Sequence, residues 1–113
     1  MRSDRERLLD ILEAIDSIER YTIQGRSEFD RSELIQTWVV HHLQIIGEAA
    51  AKLSSAFRNE HPEIPWTAII AMRNILIHDY FGIDTEEVWA TVERDLPDLK
   101  SKVKAILETL PRD

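Results

Sequence analysis

Residues 35–57, IQTWVVHHLQIIGEAAAKLSSAF, carry two apolar stripes side by side at helical spacing. Ile35, Trp38, His42, Ile45 and Ala49 form one; Val39, Leu43, Ile46, Ala50, Leu53 and Phe57 form the other. With Asp30 as an N-cap, the spacing predicts one long helix reaching Phe57. A helix in a small bundle usually needs only one such stripe. The double width suits a central helix of a monomer and a helix shared with a second subunit about equally. Gly47 costs this helix about 1 kcal/mol relative to Ala, a loss that close helix crossing at a dimer seam would offset.

The segments on either side are helical too. Leu8, Ile11, Leu12, Ile15 and Ile18 recur at helical spacing after two candidate caps, Ser3 and Asp4, and this first helix should end before Gly25. Residues 58–65, RNEHPEIP, read as a loop into a third helix that starts near Pro65 or Trp66 and stops at Gly82. Asp84 and Glu87 form a capping-box pattern for a fourth helix containing Val88, Trp89 and Val92. Pro97 fits the first turn of a fifth, where its missing N–H costs little, with Asp95 as cap and Leu99, Val103, Ile106, Leu107 and Leu110 beyond. Nothing alternates like a strand. The expected fold is all-α, an antiparallel bundle of four to five helices, as a single domain over residues 1–113.

Composition narrows the function. Fourteen Lys and Arg against twenty-one Asp and Glu give a formal charge of -7, which argues against a broad footprint on duplex DNA or an anionic membrane. The chain has no cysteine, which excludes disulfides and thiolate metal sites. Its start, MRSDRER, is charged, and no run reaches the length of a membrane span. A cytoplasmic protein without a cofactor is expected.

Residues 73–80, RNILIHDY, are the chief clue to chemistry. Arg, Asn, His and Tyr interrupt an apolar stretch, and each would cost free energy if buried unpaired. Counted at about 100° per residue on a helix, Asn74 and His78 share a face and Arg73 can reach the same point. Ile69, Met72, Ile75 and Leu76 fill the core side, whereas Ile70 and Ile77 stud the polar face, so a partly dry cleft is expected. Tyr80 returns to the arginine side. Histidine moves protons near neutrality and arginine offers a forked cation to phosphate oxygens. Together they suit RNA cleavage, with His78 removing a proton from the 2′-hydroxyl, Arg73 clamping the phosphate and Asn74 in support. The spacing alone leaves the plainer reading open, because a histidine on a helix is more often a satisfied core or interface residue.

Arg73, Asn74, His78 and Tyr80 match the pattern of Arg, a polar residue, three residues, His, any residue and Tyr that marks the HEPN superfamily, and the chain resembles its HepT-like ribonuclease toxins. Ile45-Ile46-Gly47-Glu48-Ala49-Ala50, Pro65-Trp66, Val88-Trp89 and Asp95-Leu96-Pro97 carry the resemblance over nearly the whole length. It implies a metal-independent endoribonuclease, the toxin of a type VII toxin-antitoxin pair, active as a homodimer with the motif at the subunit cleft. It also implies a minimal nucleotidyltransferase antitoxin that transfers AMP to the motif tyrosine, here Tyr80. The rival class is a non-catalytic HEPN binding module serving as partner or AMP acceptor of that nucleotidyltransferase. A purely structural bundle comes third.

The remaining polar residues are expected to be quieter. Glu48 could anchor Arg73 or orient His78, or could be a solvated or intersubunit carboxylate. His41 should face water, His42 pack in an interface and His61 lie solvated in its loop. No histidine has a glutamate three residues before it, so the di-iron bundle pattern is absent and no metal is expected. Lys100, Lys102 and Lys104 spread around their helix and read as a solvated face.

Overall fold

The computed structural model describes residues 2–74 and 84–112, which are helical almost throughout. α1 (Asp4–Thr22) opens on Ser3: its Oγ accepts from Glu6 N at 3.1 Å, and Glu6 Oε1 accepts from Ser3 N at 3.0 Å. Of the two candidate caps the chain therefore uses Ser3, in a reciprocal capping box. Asp4 instead accepts from Ser54 N at 2.9 Å and from Ser54 Oγ at 2.8 Å, tying the start of α1 to a distant turn. Leu8, Ile11, Ile15 and Ile18, each fully buried, line the inner face. The helix ends before Gly25, whose φ of 95° is a left-handed geometry that glycine adopts without steric cost.

The Ser3 N–H holds the Glu6 carboxylate below its ordinary range. Because the folded-state value is depressed, the associated stability is complete above the unfolded value of about 4.5 and is lost as pH falls through the folded one. Glu6→Gln keeps an acceptor but removes the charge, so its urea midpoint should fall less than the parent's between about pH 6 and pH 3.

The long second helix expected from the double stripe is divided in two, and a further short helix precedes it. α2 (Arg26–Arg31) is a separate short helix that buries Phe29, with Trp89 5.3 Å away. Asp30 lies inside it, paired with Arg26 at 3.3 Å, and does not cap the next helix. That task falls to Ser32, whose Oγ accepts from Ile35 N at 3.2 Å to open α3 (Glu33–Ala51). α3 stops six residues short of Phe57, because Ser54 caps a further helix, α4 (Ser55–Glu60), by accepting from Phe57 N at 3.2 Å. Leu53 and Phe57 still reach the core, but through this turn. Serine competes with the helix for backbone partners, which is why it serves as a break here.

α1 and α3 run antiparallel. Asp4 meets Ser54 at one end, and Trp38 Nε1 donates to Ser17 O at 2.7 Å towards the other. α5 (Trp66–Ala71) begins after Pro65, as the sequence predicts, and Trp66 Nε1 donates to His61 O at 2.9 Å. The expected continuation to Gly82 falls on residues 75–82, which lie outside the described residues. α6 (Thr85–Ala90) is capped by Asp84, whose Oδ1 accepts from Glu87 N at 3.2 Å.

Asp95, expected to cap a separate last helix, has helical backbone angles and makes no cap bond. A π-helical turn, Thr91–Asp95, joins α6 to α7 (Leu96–Thr109) without a break, and Leu96 N donates to Thr91 O, five residues back. Pro97 explains the wider turn. It cannot donate to the residue four before it and its ring would press on that carbonyl, and a π-bulge shifts the register so that the rod passes the obstruction. α7 packs on α1, where Lys100 Nζ stands 2.6 Å from Glu19 Oε1, a bond that raises the lysine's pKa. Among the described residues no helix is long and apolar enough to cross a membrane.

Candidate active site

The end of α5 and the turn after it lie against α3 at Gly47, four residues before that helix ends. A Cβ placed there would stand 2.8 Å from Arg73 N and 3.1 Å from both Arg73 Cβ and Ile70 O. The close crossing foreseen for Gly47 therefore exists within the chain itself, against Ile70 of α5 and Arg73 just beyond it. The chain tightens at this crossing. Beyond Ala71, Met72 N donates to Ile69 O at 3.1 Å, Arg73 N to Ile70 O at 3.2 Å and Asn74 N to Ala71 O at 3.0 Å. These are three-residue bonds, so successive side chains are about 120° apart there, not the 100° of a regular helix.

One residue past Gly47, Glu48 Oε1 lies 3.6 Å from Arg73 Nη1, and the two side chains are 47% and 37% exposed. The structure thus brings Glu48 and Arg73 together. A half-solvated pair of this kind is worth about 0–1 kcal/mol, so it does little for stability. Met72 and Ile69 are buried beneath it, Ile70 is half-buried and Asn74 is exposed. His78 and Tyr80 lie outside the described residues.

Glu48 also borders a groove of about 440 Å³ between α1 and α3, where Arg7, Asp10, Glu13 and Lys52 mix charges of both signs. His42 lines it too, with Nδ1 2.7 Å from Trp38 O and its ring centroid 4.3 Å from that of Trp38. It therefore spends one nitrogen on its own helix, while His41 is exposed as expected. His61 is less solvated than its loop suggested: its ring packs 4.6 Å from Phe57, and Nδ1 lies 3.2 Å from Glu63 Oε2. Lys100 and Lys102 are engaged by Glu19 and Asp98, at 2.6 and 2.9 Å, which leaves them poorly placed as an RNA groove. Among the described residues no three His, Asp or Glu side chains converge as metal ligands. Gly47 was singled out in the sequence as a place of close crossing, but nothing in its spacing says which helix it admits.

The fold and this crossing define a small all-α bundle that offers an arginine at the junction of two helices, ahead of a histidine and a tyrosine in sequence. The profile of the family described as Ribonuclease HepT-like matches residues 11–106. A Thermococcus cleftensis protein described as "Probable ribonuclease HepT" is 42% identical over 106 residues, 93% of this chain and 96% of its own. A Caldanaerobacter subterraneus subsp. tengcongensis protein described as "Putative RNase" is 36% identical over 109 residues, 96% of this chain and 97% of its own. A Methanocaldococcus jannaschii protein of the same description is 38% identical over 100 residues, 88% and 92% of the two chains. No solved structure matched. The chain belongs to the HepT-like ribonuclease family.

Proposed function

We propose that this protein is the toxin of a type VII toxin-antitoxin pair, a cytoplasmic endoribonuclease that cuts RNA without a metal ion. The observation that carries this reading is Arg73, seated on Gly47 beside Glu48 in a chain of a ribonuclease family. Its side chain is part-exposed and open to a phosphate. In the proposed reaction His78 takes the proton of a 2′-hydroxyl, the oxygen attacks the adjacent phosphorus, and the bond to the 5′-oxygen breaks. A homodimer supplies a second copy of that histidine to protonate the leaving oxygen. Arg73 balances the charge that develops on the phosphoryl oxygens, and Asn74 supports it.

Tyr80 is the proposed switch. Its phenol oxygen attacks the α-phosphorus of ATP on a minimal nucleotidyltransferase antitoxin, and pyrophosphate leaves. The added AMP brings bulk and a phosphate that Arg73 can pair with, which shuts RNA out.

The test is the chemistry of the product ends. RNA incubated with the protein in excess chelator should yield 2′,3′-cyclic phosphate and 5′-hydroxyl ends, and a 2′-deoxy nucleotide at the cut site should block cleavage. Ends bearing 5′-phosphate, or cleavage that needs added metal, would overturn the mechanism. Protein free of AMP on Tyr80 that cuts nothing would instead favour the non-catalytic binding module.

A further inference from the structure

Among the described residues, Arg73 has a fixed backbone and a loosely held side chain. Its N–H is bonded to Ile70 O at 3.2 Å, and the backbone rests against Gly47. The guanidinium, by contrast, comes no closer than 3.6 Å to Glu48, with both side chains exposed by more than a third. An arginine gripped for structural purposes commonly makes two parallel bonds of about 2.7–2.9 Å to its carboxylate. The contact here is weak enough for a phosphate to replace it, since a phosphodiester also accepts hydrogen bonds from the fork. Lys52 lies one turn further along α3 and lines the same groove as Glu48, so a released carboxylate has another cation to turn to.

We propose that Glu48 is a positioning residue that holds the Arg73 guanidinium at the site while RNA is absent and yields it to the scissile phosphate. The proposal rests on the reading of Arg73 as the phosphate clamp. It has a distinctive consequence, because the same carboxylate prepares the arginine and repels the incoming anion. Removing the charge should tighten RNA binding and slow cleavage together, so that KM and kcat both fall.

The test compares the parent, Glu48→Gln and Glu48→Asp on a single-stranded RNA oligonucleotide that the parent cuts. Glu48→Gln should lower KM by about three- to fivefold, the ceiling for a half-exposed pair, and lower kcat at least as much, with Glu48→Asp between. Loss of folded protein alone would reduce kcat and leave KM unchanged. Binding is measured separately with a non-cleavable 2′-O-methyl copy of the strand. Glu48→Gln should tighten its Kd by a similar factor in the parent and by none in an Arg73→Ala background, as coupled partners require. An unchanged KM and Kd, or tightening that survives Arg73→Ala, would overturn the role of Glu48. If the parent cuts no RNA, the cleavage reading fails, while the 2′-O-methyl binding cycle still decides the role of Glu48.

Discussion

His78→Ala should slow RNA cleavage in excess chelator by about 10²–10⁴-fold, the usual contribution of a positioned acid or base. If two copies of His78 act at one dimer cleft, the variant removes base and acid together and the loss falls at the upper end. The parent's rate should then follow a bell against pH, with its limbs on either side of the usual histidine value of about 6.5. The variant's residual rate should lack that shape. Arg73→Ala should cost about 10²–10³-fold through lost charge stabilisation, and Arg73→Lys should recover only part, because an ammonium keeps the charge but not the fork. Arg73 provides a clean experiment. Its pairing with Glu48 is half-solvated, so its loss should change stability by no more than about 1 kcal/mol, and the circular dichroism melt should stay near the parent's. Combining the two substitutions should cost little more than the worse one alone, as for groups that act as a unit. Additive losses would mean that the two residues serve separate steps.

What the sequence reveals and what it hides follow from the range of the forces involved. The inner stripe of α1 and Val39, Leu43, Ile46 and Ala50 of α3 are buried as their spacing predicts, because burial periodicity is a local property of the chain. The breaks were harder to read. Asp30 and Ser32 are both competent caps, and what favours Ser32 is the burial of Phe29, with Trp89 beside it from a segment sixty residues away in sequence. Ser54 likewise ends the α3 run in a turn that is also fastened to Asp4. Pro97 was correctly seen as an obstacle, but the solution is a π-helical turn and not a fresh cap. That choice depends on whether two helices are better kept collinear, which no local pattern states. At the site, Arg73 and Glu48 were each singled out by chemistry, yet their meeting depends on how closely α5 lies on α3. Gly47 controls that distance, and a glycine within a helix does not say which neighbour it admits.

Gly47→Ala should therefore harm catalysis more than stability. The new methyl would begin 2.8 Å from Arg73 N and 3.1 Å from Ile70 O, both backbone atoms that cannot rotate away. Over-packing of this kind costs about 1–3 kcal/mol, against which alanine returns about 1 kcal/mol of helix propensity, leaving a net loss of about 0–2 kcal/mol in urea denaturation. Relief requires α5 to lift from α3, and that movement carries Arg73 away from Glu48. A displacement near 1 Å can cost about 10²-fold in rate, so a drop of about 10- to 100-fold per folded molecule is expected. Gly25→Ala is the matched control. Its φ of 95° strains any side chain although nothing lies within 4 Å of the new Cβ, so it should lose about 1–2 kcal/mol and keep the parent's rate per folded molecule. Equal rates for the two variants would show that the α3–α5 spacing does not set the position of Arg73. A Gly47→Ala protein more stable than the parent would show that the crossing relaxes without cost.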